Sequence, residues 1–349
     1  MRRLRQFIAI LLIAILFIAS CDTTPSNQRP IIDADQSGFT VYYIDVGQAD
    51  STLIICDGKT MLIDGGNVAD SDLIYTFLKN HEITTLDYIV ATHVHEDHVG
   101  GLAGALNYAA AGIAFCSTSE HDTRAFGNFV KYLGEQNVSI TIPTAGDTFM
   151  LGSACIEILS PISQSSNPNN MSIVIKVSYG STSFLFTGDA ERPAEQGMLD
   201  AGYDLSATVL KVGHHGSDTS TIYPFLREVM PQYAVISCGK NNSYGHPDEN
   251  VLSRLRDADV TVYRTDMQGT ITCVSDGQTV SFTTEKNSDA NTNPTDEASE
   301  ETYYIGNINT LRFHRPACSG LPAEKNRVVF NTRNEAINAG HSPCGTCKP

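Results

Sequence analysis

From residue 39 onward the chain alternates short apolar runs with amphipathic stretches. Residues 39–46, 51–56 and 61–63 are β-rich runs separated by Gly-containing turns. Further on, apolar strand-like runs at 87–92, 112–117, 172–179, 183–187, 208–212, 233–238 and 260–263 interleave with stretches of helical spacing at 72–80, 102–110, 122–135, 191–201, 221–229 and 248–256. Two sheets flanked by helices would bury these runs on both faces. A dinucleotide-binding sheet is disfavoured, because no Gly-x-Gly-x-x-Gly follows the first strand. No repeat of fixed period is present.

The flanks follow another pattern. Met1-Arg2-Arg3-Leu4-Arg5, followed by an apolar run over 7–19, has the charged and apolar regions of a secretory signal. The run is short for a membrane span. It ends in Ile18-Ala19-Ser20-Cys21, which resembles a bacterial lipoprotein signal, with an uncleaved membrane anchor as the alternative. The expectation is therefore a signal and lipobox over 1–21 and an exported chain, lipid-anchored through Cys21 to the outer face of the bacterial cytoplasmic membrane. Residues 22–37 are polar and aperiodic, as a tether would be, and 286–302 read as a second, disordered linker. These two stretches bound a large domain, 38–285, and a small one, 303–349.

Composition adds two constraints. A 349-residue chain that is 41% hydrophobic and 18% charged is not a wholly disordered one. A net charge of −16 argues against a general electrostatic clamp on nucleic acid or anionic lipid. That charge is unevenly spread: residues 38–285 carry 12 basic and 29 acidic side chains, whereas 303–349 carry 6 basic and 2 acidic. Of nine cysteines, Cys21 is assigned to the lipid and Cys318, Cys344 and Cys347 cluster in the tail. The other five lie in or beside apolar runs, where buried free thiols are expected.

The densest chemistry is His93-Val94-His95-Glu96-Asp97-His98-Val99-Gly100-Gly101, directly after an apolar strand. Three imidazoles and two carboxylates in six residues cannot pack as core without stranding polar groups. Metal ligation resolves the conflict, and the mixed N/O set suits zinc, manganese or iron more than calcium.

His-x-His-x-Asp-His resembles the metal motif of the metallo-β-lactamase-fold hydrolases. Met61-Leu62-Ile63-Asp64-Gly65-Gly66 resembles that family's first motif, and Phe186-Thr187-Gly188-Asp189 resembles its bridging-aspartate motif. Three further segments point to a subgroup: Ile44-Asp45-Val46-Gly47-Gln48-Ala49-Asp50, Leu210-Lys211-Val212-Gly213-His214-His215-Gly216-Ser217 and Asn242-Ser243-Tyr244-Gly245-His246-Pro247. Together these are similar to the hydrolase domain of ComEC-type competence proteins, over about 38–285. The resemblance implies an αββα sandwich, an α/β fold of four layers. It implies two divalent metals, Zn or Mn, with His93 and His95 on one, Asp97 and His98 on the other, and Asp189 bridging. Asp64 would support the metal loop from behind, and Asp45, Gln48 and Asp50 belong to the subgroup's own motif. Motif order puts His246 as the last metal ligand and leaves His214 or His215 to protonate the leaving oxygen or steady the transition state beside Asp97. The opposite assignment, with His214 as ligand, stays open. Where many family members have another metal histidine, this chain has Asn167-Pro168-Asn169-Asn170-Met171-Ser172, so that Asn170 and Ser172 are weaker candidate contacts. His121 reads as a loop residue.

In the tail, His314-x3-Cys318 and Cys344-x-x-Cys347 offer one imidazole and three thiolates, a closed structural zinc set. A disulfide among these cysteines is the alternative. Tyr304-Ile305-Gly306-Asn307 and the spacing of the four donors resemble the small metal-binding module of the Ada type. Such a module is too small to bury much core, and its cationic balance would let it hold nucleic acid.

The function expected is a metal-dependent phosphodiesterase, a nuclease on extracellular DNA, with DNA-uptake channel proteins as possible partners and the oligomeric state left open. The alternatives are a cell-wall phosphodiesterase of the phosphorylcholine-esterase kind, a lactonase, or a non-catalytic DNA receptor. The absence of Trp weighs against a choline-binding aromatic cage.

Overall fold

A computed structural model describes residues 38–294, 303–316, 318–347 and 349. The expected signal, lipobox and tether over 1–37 lie outside the described residues.

The first half supplies β1 (Phe39–Tyr43), β2 (Thr52–Cys56), β3 (Lys59–Ile63), β4 (Thr85–Ala91), β5 (Ala110–Cys116) and β6 (Ile140–Thr141). The second supplies β7 (Thr148–Leu151), β8 (Ala154–Ser160), β9 (Val174–Tyr179), β10 (Thr182–Phe186), β11 (Val209–Lys211), β12 (Tyr233–Ile236) and β13 (Thr261–Arg264). The hairpin β14 (Ile271–Ser275) and β15 (Val280–Thr284) then crosses back to pair with β1. One sheet runs β15-β14-β1-β2-β3-β4-β5-β6 and the other β13-β12-β11-β10-β9-β8-β7. Their facing sides enclose Phe39, Tyr43, Ile54, Met61, Ile175, Phe184 and Phe186, each worth roughly 1.5–3 kcal/mol of burial.

Helices close the outer faces. α1 (Ser71–Asn80), α2 (Glu96–Val99), α3 (Leu102–Tyr108) and α4 (Arg124–Glu135) follow strands of the first sheet, and α1 and α4 bury Ile74, Leu78, Phe129 and Leu133. α5 (Arg192–Ala201), α6 (Tyr223–Val229) and α7 (Glu249–Asp257) bury Met198, Phe225 and Leu255 with the outer side of the second sheet, and α8 (Thr265–Gln268) follows β13. The order helix, sheet, sheet, helix is the four-layer α/β sandwich. Starts are capped locally: Thr123 Oγ1 accepts from Phe126 N at 3.3 Å before α4, and Asp248 Oδ1 from Asn250 N at 2.8 Å before α7.

Two features depart from the pattern-based expectation. Strands β6, β7, β8, β14 and β15 lie outside the expected elements; β14 and β15 show the inside–outside alternation of a hairpin joined at Asp276-Gly277. The segment expected to be disordered from 286 is instead held to the body as far as 294. Thr292 Oγ1 donates to Val262 O at 2.6 Å, Asn293 Nδ2 to Leu252 O at 3.1 Å, and Arg256 Nη1 to Asn293 Oδ1 at 2.6 Å. Polar side chains that pattern as linker here bond to groups of β13 and α7. The rest of that linker, 295–302, lies outside the described residues.

The tail forms its own sheet, β18-β16-β17-β19, from β16 (Tyr304–Asn307), β17 (Arg312–His314), β18 (Arg327–Phe330) and β19 (Ser342–Pro343), with α9 (Arg333–Asn338). Its apolar centre, Phe313, Phe330, Ala336 and Ile337, shares one cluster with Tyr223 of α6. Arg333 pairs with Asp257 and donates to Ser253 on α7, and Arg227 donates to Ile337 O at 3.3 Å. Among the described residues no helix is long and apolar enough to cross a membrane.

Candidate metal centre

The donors converge from loops at strand ends. After β3 the chain turns at Asp64, a non-glycine residue at φ +59°, and after β4 it enters the His93–His98 loop. These loops are stitched together: Gly65 N donates to His98 O at 2.7 Å, Asp50 N to Asp97 O at 3.1 Å and Gly66 N to Asp50 O at 2.8 Å. The fit requires glycine, since a Cβ on Gly101 would stand 2.0 Å from Gly65 O. After β11, His214 and His215 are consecutive left-handed residues at φ +51° and +55°, so one strained turn sends both rings toward Asp189.

Ligand atoms of Asp97, His98, Asp189 and His215 all lie within 4.8 Å of one another. His98 Nε2 is 3.3 Å from Asp189 Oδ1, and His215 Nε2 is 3.2 Å from Asp97 Oδ2 and 3.7 Å from Asp189 Oδ2. His93 Nε2 joins from the other side, 3.0 Å from His95 Nδ1 and 3.9 Å from Asp189 Oδ2. Both inner imidazoles are backed by a buried carboxylate. His98 Nδ1 donates to Asp64 Oδ2 at 2.8 Å, and Asp64 is itself fixed by Thr92 N and Thr92 Oγ1, each at 2.8 Å. His215 Nδ1 lies 3.2 Å from both Asp50 Oδ1 and Ser237 O, and Lys211 Nζ holds Asp50 Oδ2 at 2.8 Å. Fixing Nδ1 in this way frees Nε2 as the ligand atom.

Electrostatics divide the histidines. Burial alone would lower His98 and His215, but Asp189 with Asp64 and Asp97 pushes His98 well above its usual range, and Asp189 with Asp50 pushes His215 up to about 10. Burial and neighbouring imidazoles hold His93, His95 and His246 below theirs. Asp97, raised by burial but pulled down more strongly by His98 and His215, sits at about 2, and Asp189 is held well below the carboxylate range. Carboxylates that stay ionised and imidazolium protons held only by those carboxylates are what a divalent cation would displace. His98 Nε2 and Asp189 Oδ1 face each other 3.3 Å apart, both buried and bonded to no third group among the described residues. The orphaned atoms and the N/O donor set fit a divalent transition metal.

Three site expectations change on this geometry. Motif order puts His246 in the metal set and His215 outside it; the structure groups the reverse. His246 Nδ1 faces Gln48 Nε2 at 3.4 Å and its ring stacks near Tyr244 at 5.7 Å, while His214 Nδ1 is 3.0 Å from Thr219 Oγ1. Asp45 stands apart from the donors, accepting from Gly47 N at 3.3 Å and lying 3.6 Å from Lys286 Nζ. Of the replacement segment, Ser172 Oγ accepts from Asp189 N at 3.1 Å and lies 3.4 Å from His93 Nδ1, whereas the buried Asn170 Oδ1 has no partner among the described residues. Gln48 Oε1 accepts from Gly239 N at 3.0 Å, tying the Asn242–His246 loop to the first sheet.

Sequence reading passes over two contributors. Lys211 lies within a quoted motif, and a lysine inside the apolar run 208–212, three residues before paired histidines, is the available signal. Glu191, which accepts from Asn167 Nδ2 at 2.9 Å and Asn169 Nδ2 at 3.0 Å and stands 3.5 Å from His214 Nδ1, carries no local signal. His121 remains on a loop, edge-on to Phe126.

In the tail, His314, Cys318, Cys344 and Cys347 also bring their ligand atoms within 4.8 Å. All cysteines among the described residues are free thiols. Backbone N–H groups point at the sulfurs: Arg315 N to Cys347 Sγ, Gly320 N to Cys318 Sγ and Thr346 N to Cys344 Sγ, each at 3.4 Å. Such donors stabilise thiolates, and a set of one imidazole with three thiolates fits zinc.

The family model of the metallo-beta-lactamase superfamily matches residues 44–240, and that of the metal binding domain of Ada matches 290–349. ComE operon protein 3 of Bacillus subtilis is 30% identical over 247 residues, 65% of this chain and 32% of the relative. Competence protein ComA of Neisseria gonorrhoeae is 30% identical over 266 residues, 75% and 35%. Recombination protein 2 of Haemophilus influenzae is 33% identical over 241 residues, 65% and 28%. The chain thus spans about a third of the length of these curated relatives. With its sandwich, its converging donors and the match over most of the body, the chain belongs to the metallo-beta-lactamase superfamily as a metal-dependent hydrolase carrying an Ada-type zinc-binding module.

Proposed function

We propose that this hydrolase cleaves phosphodiester bonds, with DNA outside the cytoplasmic membrane as its substrate. The observation that carries the reading is the pair of orphaned atoms, His98 Nε2 and Asp189 Oδ1, at the centre of the Asp97–His98–Asp189–His215 group in a chain related to competence and recombination proteins. His93 and His95 would hold one divalent cation, Zn or Mn, and Asp97, His98 and His215 a second, with Asp189 shared between them. Such cations supply positive charge for a phosphoryl oxygen and make nearby water acidic enough to attack near neutral pH.

The protein's own groups do the rest. Asp64 and Asp50 keep the His98 and His215 rings aimed and their Nδ1 protons committed. His214, partly exposed and steadied by Thr219 and Glu191, is placed to pass a proton to the departing oxygen. His246, whose ring is 5.8 Å from that of His214, offers a hydrogen bond to the anionic phosphoryl group. The same reading includes export and a lipid on Cys21, supported by the basic-then-apolar leader ahead of that residue. In the tail, His314, Cys318, Cys344 and Cys347 would hold one structural zinc.

The test is cleavage of linear DNA by the purified chain with Mn or with Zn, beside an Asp97→Ala variant. Cleavage lost by about a thousandfold or more in the variant, with its circular dichroism unchanged, is expected. An Asp97→Ala protein as active as the parent, or a parent inert with both metals, would overturn the proposal.

A further inference from the structure

A cleft of about 1140 Å³ runs between α5, α6 and α7 of the body and the tail module. Arg192, Arg254 and Arg256 line it from the body and Arg312, Arg315 and Arg333 from the tail. Its carboxylate side chains, Asp218, Glu249 and Asp257, are each already paired, with Arg254, Arg256 and Arg333 respectively. Arg192 and Arg312 are exposed and make no ion pair among the described residues. An otherwise acidic protein therefore concentrates uncompensated positive charge where body and tail meet, a field that gathers polyanions.

A short run of contacts links this cleft to the metal centre. Arg192 lies three residues after Asp189 and its backbone N–H donates to Thr219 O at 2.9 Å. Thr219, next to the cleft residue Asp218, holds His214 Nδ1 at 3.0 Å. Beyond His214 stands His246, which lines a second cleft of about 710 Å³ with Lys240, Asn242 and Lys286. Lys240 is exposed and makes no ion pair among the described residues. Cationic surface thus flanks the donor group along one line of contacts: the arginine cleft, Thr219, His214, His246, then the lysine cleft.

We propose that a nucleic-acid strand lies along this line. Its phosphates would sit on Arg192 and Arg312 in the first cleft, the scissile phosphate at the metal centre and the far end beside Lys240, so that the zinc module is one wall of the substrate track. The inference rests on the phosphodiester reading and deepens it, because a small diester would fill neither cleft. Separate arginines that each take one phosphate suit a chain of regularly repeated charges, and positioning by phosphate contacts needs no base-specific groups.

The experiment uses the full chain and a fluorescein-labelled 20-nucleotide DNA. Binding is followed across salt concentrations in the Asp97→Ala background, and hydrolysis of bis(p-nitrophenyl) phosphate is followed with Asp97 present. Charge reversal by Arg192→Glu with Arg312→Glu is expected to weaken oligonucleotide binding at least tenfold and to lower the salt slope by about 2, one for each lost phosphate contact. Lys131→Glu, on the exposed face of α4 and outside both clefts, serves as the charge control and stays within twofold of the parent. If the reversed pair does not fold, Arg192→Gln with Arg312→Gln gives a smaller loss in the same direction. Binding by either folded double variant that matches the Lys131→Glu control, or a parent that binds no oligonucleotide, would overturn the track. A parent inert toward the small diester, with oligonucleotide binding still dependent on the arginines, sinks the phosphodiester reading and leaves the cleft standing as a nucleic-acid site.

Discussion

In the body, the donor group sits at the ends of β4, β10 and β11, above an interlayer cluster of 22 buried side chains; in the tail, His314 and three cysteines stand beside a cluster of five, one of which, Tyr223, belongs to the body. Apolar burial can therefore hold the body's donors in place without help. The tail cannot rely on it, because so small a core does not offset the chain entropy of its loops. The ligands differ accordingly. The body uses imidazoles and carboxylates, with Asp97 about one-third exposed, and leaves room for water and substrate. The tail uses three sulfurs and one imidazole, mostly buried and closed. One site is held by the fold and free to do chemistry, whereas the other holds the fold together.

The sharpest way to break this contrast is to remove the tail's metal. Cys344→Ser, or a zinc chelator, should cost the module most of its structure, since binding energy at such sites in isolated zinc-finger peptides is on the order of 10 kcal/mol. Hydrogen exchange should show β16–β19 and α9 losing protection while β1–β13 keep theirs. Equal loss in both regions would mean the body also depends on that metal.

A smaller effect is expected behind the body's donors. Asp64→Asn keeps the shape but replaces a carboxylate acceptor at His98 Nδ1 with an amide, and metal affinity should fall about 10- to 100-fold. Metal titration followed by calorimetry measures it.

The smallest effect concerns the loop that follows the histidine turn. Glu195, fully buried, accepts from Thr221 N at 2.5 Å and Ile222 N at 3.0 Å, and burial pushes its carboxyl up to about 8 in spite of those bonds. Between its ordinary value of 4.5 and about 8 the folded protein keeps a proton that the unfolded chain has released. Stability from this group is therefore greatest below the lower value, declines as pH rises through the window and is level above it. Glu195→Gln should flatten that part of the profile, read as the difference in urea midpoint between pH 5 and pH 8. An unchanged slope would assign it to other groups.

Much of the fold is legible because its signals are local. The Asp64-Gly65-Gly66 turn, the His93–His98 loop and the Gly188-Asp189 turn each carry their chemistry within six residues, and the strands before them are plainly apolar. What escapes reading depends on three-dimensional approach. Whether His215 or His246 joins Asp97 is decided by two successive left-handed residues, and nothing in the order of motifs encodes that backbone shape. The role of Glu191 depends on two asparagines more than twenty residues away. The hairpin β14–β15 alternates over only five residues in each strand, too short a run to stand out, although it covers the side of β1 that would otherwise be the edge of the first sheet. In the tail the four donors are readable from spacing alone, since a closed metal set needs only the right residue types within reach.

Helix α7 is anchored at both ends. At its start Asp248 N donates to Gly216 O at 2.8 Å, and Pro247 packs so closely on Gly216 that a Cβ there would meet it at 2.6 Å. At its end Asp257 and Ser253 hold Arg333 of the tail. A nine-residue strut thus ties the terminal module to the bend that bears His214 and His215. Cutting the module away would take the load off one end of that strut, so a truncated protein compared with the whole chain would differ in the seating of its histidines as well as in the surface it has lost.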